Sequence, residues 1–222
     1  MESDSGQQVA DVQFSSEPLG HSFLPRRILG KVNARKCVEC GQDVFEHTRS
    51  EVDERDMMLV MDATADGSVS VICEGELAVG SFKAMIAELH RNPKAVAVNC
   101  AGTKLHRFLP KTRAPADALR EQGRLYDCEW EDSEHYAIAQ CDLFSALSWS
   151  RDKVQQGHLV VSNCAQGKSR SGTFATAYLM QRDDLSVSEA LGRIQSKRPL
   201  VQPNPGFLRQ LRAMETALRE RH

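Results

Sequence analysis

The sequence predicts an α/β fold: a central, mostly parallel sheet with helices on both faces, preceded by an N-terminal extension. Three observations predict it. From about residue 70 onward, short apolar runs alternate with segments of helical period, the pattern of strands joined by crossover helices. The run Ala95 to Val98 is apolar throughout rather than alternating, as expected of a strand buried on both faces. With 222 residues and 41% hydrophobic content, the chain can build one full core and still carry an extension.

Residues 1–20 are polar and aperiodic and read as a disordered tail. Residues 21–69 form the extension. Within it Met57 to Met61 and Val69 to Ile72 flank Ala65-Asp66-Gly67, so a hairpin with an Asp-Gly turn is expected, adding an edge to the main sheet. The main domain occupies residues 70–222. Ser81 can cap a helix whose Phe82, Met85, Ile86 and Leu89 share a face, and Asn92-Pro93 ends it. After the Ala95 to Val98 strand, Tyr126, Cys128 and Trp130 alternate with Asp127 and Glu129, a half-buried strand. Ile138 to Val154 reads as helix and Leu159 to Val161 as a short strand. Ser186 and Glu189 have the spacing of a capping box for a helix bearing Val187, Ala190, Leu191 and Ile194. Asn204 as cap and Pro205 at the first helical position start the last helix, with Phe207, Leu211, Met214 and Leu218 expected to face inward.

The stretch from His158 to Thr173 carries the chemistry. An apolar strand enters a loop that starts at Cys164, has Arg170 six positions later, and opens a helix. A helix N-terminus offers free backbone N–H groups and partial positive charge, which stabilise a thiolate and a phosphate alike. Cys164 is therefore expected to be acidified and reactive. Of the seven cysteines it alone has an arginine six positions on. Gly167-Lys168-Ser169 is not a nucleotide-binding phosphate loop, because that pattern requires a glycine where Ser162 stands. In open parallel sheets ligands bind beyond the carboxyl ends of the strands, where Cys164 lies.

Composition narrows the classes further. A formal charge of −2 gives no electrostatic case for nucleic acid or a membrane surface. No apolar run reaches the length of about 18 residues needed to span a bilayer, and the acidic start Met1-Glu2-Ser3-Asp4 is unlike a signal peptide. An odd number of cysteines with a reactive one among them points to a reducing compartment, the cytosol or nucleus.

Asn163 to Ser171 resembles the signature loop of the cysteine-dependent protein tyrosine phosphatases, and most of all their dual-specificity branch. Gly75 to Ser81, Leu185 to Leu191, Lys197-Arg198-Pro199 and Pro203 to Leu211 resemble the same branch, so the likeness covers about residues 70–222. It implies hydrolysis of phosphotyrosine and phosphoserine or phosphothreonine in protein substrates through a phosphocysteine intermediate, with no metal and no cofactor. Cys164 would be the nucleophile. Arg170 would clamp two phosphoryl oxygens with its planar fork. Backbone N–H groups from Ala165, Gln166, Gly167, Lys168, Ser169 and Arg170 would bind the rest of the phosphate. Ser171 would donate to the departing thiolate. The branch keeps its general acid on a loop after the strand that Tyr126 to Trp130 would form, and Asp132, thirty-two positions before Cys164, has the matching place. Asp127, Glu129, Glu131 and Glu134 are its rivals.

Other readings stay open at this point. Lys168 is shared with lipid phosphatases related to the branch, although Ala165 stands where they carry a second basic residue. A binding-only relative that grips phosphorylated partners is the other alternative. Asn163 replaces the histidine that usually precedes the cysteine. It can still brace the loop with a donor and an acceptor but brings no cationic help to the thiolate. Cys37 and Cys40, with His47 near, offer only three of the four ligands that structural zinc needs. Arg26-Arg27-Ile28-Leu29 is a short basic and apolar cluster of the kind that can dock a kinase-pathway partner.

Overall fold

A computed structural model describes residues 23–28, 31–37, 67–107 and 113–220, and the chain separates into two units, Met1–Val60 and Met61–His222. In the first unit, β1 (Phe23–Ile28) pairs antiparallel with β2 (Lys31–Cys37), and the register slips between Pro25 and Arg26. Proline has no N–H to give a ladder, so a slip beside it is expected. The basic cluster Arg26, Arg27, Ile28 lies on β1. Residues 1–20, Leu29, Cys40, His47 and Met57 to Met61 lie outside the described residues.

The second unit is built on a five-stranded sheet in the order β3-β4-β7-β5-β6, where β3 is Ser70–Cys73, β4 Leu77–Ser81, β5 Ala95–Asn99, β6 Leu125–Asp127 and β7 Leu159–Cys164. All neighbours are parallel except β3 and β4. Every residue of β4 and β5 is buried. Successive strand side chains point to opposite faces, so both faces of the sheet are covered. The helices are α1 (Phe82–Arg91), α2 (Arg113–Glu121), α3 (Gln140–Gln155), α4 (Arg170–Asp183), α5 (Val187–Lys197) and α6 (Pro205–Arg219). Helix α4 is buried on all sides from Arg170 to Met180, the mark of a central helix.

Several expected elements stand as read. Ser81 accepts from the Ala84 N–H to cap α1, Ser186 and Glu189 close their capping box, and Asn204 accepts from the Phe207 N–H with Pro205 behind it. Others need correction. The strand expected at Val69 to Ile72 spans Ser70 to Cys73 and turns at Glu74-Gly75 to pair with β4, while Met57 to Met61, its expected partner across Asp66-Gly67, lies outside the described residues. Gly75, at φ +70°, supplies the left-handed residue that this turn requires. The strand expected over Tyr126 to Trp130 stops at Asp127: the Cys128 N–H still reaches the Asn99 carbonyl at 2.9 Å, but β5 ends there and offers nothing further to pair with. Met214 and Leu218 are half-exposed rather than inward. Together with Ile138, Leu143, Phe144 and Leu211 they line an open apolar groove of about 230 Å³ between α3 and α6. Helix α2 was not anticipated, since Pro115 in its first turn hides the helical period although that position tolerates proline. Among the described residues no helix is long and apolar enough to cross a membrane.

Candidate active site

Strand β7 delivers Cys164 to the carboxyl edge of the sheet, and α4 begins at Arg170, so residues 165–169 must turn within one short loop. Four of the loop carbonyls are bound from outside. The Phe82 N–H donates to Ala165 (3.4 Å) and the Gln202 N–H to Lys168 (3.1 Å). The guanidinium of Arg198, itself buried, donates to Gln166 (3.3 Å) and to Gly167 (2.9 Å). In a trans peptide the N–H points opposite to the C=O, so turning these carbonyls outward aims the following N–H groups at the interior of the loop. Gly167 makes the turn possible. Its φ is +71°, and a Cβ there would stand 2.4 Å from the Gly80 carbonyl carbon and 2.7 Å from Arg198 Nη2.

Inside this loop Cys164 is buried, with Sγ 3.3 Å from Ser171 Oγ. Arg170 is also buried, a position that a lone guanidinium does not adopt without partners. Its Nη1 donates to the Trp130 carbonyl at 3.3 Å, and its Nε stands 3.4 Å from Asp132 Oδ2 without a hydrogen bond. Asp132 Oδ1 accepts from Ser169 Oγ at 2.7 Å and from Asn204 Nδ2 at 3.1 Å. Cys164, Arg170, Ser171, Asp132 and the loop Ala165 to Ser169 therefore come together in one place.

The rival carboxylates do not join them. Glu129 Oε1 accepts from the N–H and hydroxyl of Thr103 at 2.7 and 2.6 Å. Glu131 is exposed and faces Lys104 at 3.6 Å, while the Glu134 side chain is exposed. Asp127 accepts from Asn99 Nδ2 (2.8 Å) and Arg120 Nε (2.7 Å). That last pair belongs to a polar line behind the loop. Asn163, fully buried, donates from Nδ2 to Asn99 Oδ1 at 3.1 Å, and its backbone carbonyl accepts from the Cys100 N–H at 2.8 Å. The asparagine thus braces the strand end as its donor capacity allows.

Two neighbouring thiols are of a different kind. Burial pushes Cys128 up to about 12, and burial holds Cys100 well above an ordinary thiol, so both keep their protons at neutral pH. No cluster of His, Cys, Asp and Glu suited to a metal ion is present among the described residues.

The sequence reading used Arg198 and Asn204 only as parts of a resemblance and of a helix cap. The structure gives both a further task. Arg198 rivets the loop from behind, and Asn204 spends its carbonyl on the helix and its amide nitrogen on Asp132. A capping asparagine has a second polar group left over, and that was the available signal.

A family model described as dual specificity phosphatase, catalytic domain, matches residues 109–217. Dual specificity protein phosphatase 1 of Arabidopsis thaliana is 43% identical over 104 residues, 47% of this chain and 50% of that protein, so the match spans half of the plant protein's length. Dual specificity phosphatase 28 of Homo sapiens is 35% identical over 145 residues, 64% of this chain and 75% of that protein. The crystal structure of the human protein superposes with a TM-score of 0.56 at 27% identity, covering 68% of this chain and 95% of that one.

Proposed function

Because the chain belongs to the dual specificity phosphatase family, we propose that it hydrolyses phosphotyrosine and phosphoserine or phosphothreonine in protein substrates through a phosphocysteine intermediate, without a metal ion. The observation that carries this reading is the meeting of a buried cysteine and a buried arginine inside one loop with a carboxylate 3.4 Å from that arginine.

In the first step the Cys164 thiolate attacks phosphorus, a P–S bond forms and the bond to the ester oxygen breaks. Asp132 gives its proton to the departing oxygen, so the alcohol or phenol leaves neutral. The phosphoryl oxygens rest on the inward N–H groups and on the Arg170 fork, which supply the positive charge in place of a metal. In the second step water attacks phosphorus, Asp132 takes a proton from it, and the P–S bond breaks. Ser171 Oγ, 3.3 Å from the sulfur, donates to the thiolate as it leaves.

The test is hydrolysis of phosphotyrosine and phosphothreonine peptides by the purified chain in the presence of a chelator. Turnover on both, unchanged by chelator, is expected. A requirement for added divalent metal would remove the mechanism.

A further inference from the structure

Of the apolar side chains in the segment that carries Asp132, Tyr136 and Ile138 are only half-buried and Ala137 and Ala139 are exposed. Trp130 is buried, but between Glu131 and Ala139 no residue is. The segment's position therefore depends on polar bonds, and the long-range ones come mainly from the first turns of α6. Gln210 makes the most extensive of these. Its Oε1 accepts from the Ile138 N–H at 2.8 Å, and its Nε2 donates to the Tyr136 carbonyl at 2.8 Å and to the Gly206 carbonyl at 3.3 Å. One side-chain amide thus binds two backbone groups of the acid segment as a neighbouring strand would, while tied to its own helix. Close by, Arg209 Nη2 donates to the Glu134 carbonyl at 3.3 Å, and a Cβ on Gly206 would lie 2.0 Å from that carbonyl oxygen.

We infer that Gln210 is a positioning residue for the phosphatase reaction, holding the acid segment over the phosphate-binding loop so that Asp132 reaches the leaving oxygen. This rests on the reading of Asp132 as general acid. Gln210 caps no helix end and its hydrogen bonds go to Ile138, Tyr136 and Gly206 and not to the loop of residues 164–170, so its effect passes through the segment it binds. A displacement of about 1 Å can cost a hundredfold in rate when a proton must be delivered along a line.

The experiment measures kcat and KM over a series of aryl phosphates of decreasing leaving-group acidity for wild type, Asp132→Ala, Gln210→Met and Gln210→Glu. Both Gln210 variants remove the Nε2 donor, and the glutamate keeps the shape, so one serves if the other folds poorly; vanadate inhibition reports whether the phosphate-binding loop is intact. The expected result is a fall in kcat of about tenfold or more on the poorest leaving groups and less than about twofold on the most acidic, with vanadate affinity unchanged. Asp132→Ala should show the same slope more steeply. A leaving-group-dependent loss in Asp132→Ala without one in either Gln210 variant, or an equal loss across the series, overturns the role of Gln210 and leaves the acid assignment standing. No leaving-group dependence in Asp132→Ala overturns the assignment and the inference with it.

Discussion

The two halves of the site are built by opposite means. The nucleophile half is one continuous piece of chain, a strand, a loop and a helix, in which Val160 to Ala165 are all buried and four successive loop carbonyls are bound from outside. The acid half is a surface segment with no buried residue between Glu131 and Ala139, tied by side chains of Ser169 and of α6 that lie 37 to 75 positions away in sequence. The first is preorganised by its own neighbours. The second is only as well placed as a handful of polar bonds make it, so it is where rate can be lost without unfolding the protein.

The largest expected effects fall on the nucleophile half. Cys164→Ser should lower kcat by about 10⁴-fold or more while phosphopeptide binding persists, because the phosphate-binding loop does not depend on the sulfur. Arg170→Lys keeps the charge but loses the fork, and should cost about 10²- to 10³-fold in kcat/KM on a phosphotyrosine peptide. If the lysine variant stays within tenfold, the clamp is not bidentate and the halves are less different than their construction suggests.

Next comes Arg198, which sharpens the comparison. Arg198→Met removes the donor to the buried Gly167 carbonyl, a loss of about 1–3 kcal/mol, and the part-buried bond to the Gln166 carbonyl. Urea denaturation should show the lost stability, and kcat/KM should fall alike for good and poor leaving groups. A leaving-group-dependent loss there would mean that Arg198 acts through Asp132 and not through the loop.

The division in what the sequence disclosed follows the same line. Cys164, Gly167, Arg170 and Ser171 sit within eight consecutive positions where a strand runs into a helix start, so the loop that gathers them was legible locally, while the roles of Arg170 and Ser171 came with the resemblance. The family read from those residues is the one the chain belongs to. Asp132 is singled out only by the resemblance to the dual-specificity branch, and nothing local separates it from four nearby carboxylates; its partners are Ser169 and Asn204. The strand expected over Tyr126 to Trp130 is too long because alternation in sequence continues where β5 has already ended, and the helix expected from Ile138 starts at Gln140 because Ala139 holds extended backbone as its cap.

A smaller effect is expected at Asn163. Asn163→Leu deprives Asn99 Oδ1 of one of its two donors and should cost about 1–2 kcal/mol in urea denaturation. Asn163→His keeps an N–H to offer and should lose less. Equal losses would mean that the bond to Asn99 does not brace the strand end.

The mildest test uses pH. Cys128 is held at about 12 in the folded chain against an ordinary value of 9.0, so above pH 9 the unfolded chain releases a proton that the folded one retains. That stabilisation is complete below pH 9 and is lost at about 1.4 kcal/mol per unit as pH rises toward 12. Cys128→Ala should therefore flatten part of the decline in Tm between pH 9 and 11. A decline of unchanged slope would show that other groups account for it.

The central claim, that a loop built around Cys164 carries the phosphoryl group covalently, is tested most directly by mixing the protein with an aryl phosphate, quenching in acid within milliseconds and mapping the added mass. The account predicts one phosphoryl group on the peptide containing Cys164, more of it accumulating in a variant that slows the second step, Ser171→Ala, and none in Cys164→Ser. Turnover without any such adduct in either protein, or a phosphoryl group carried on another residue, would contradict it.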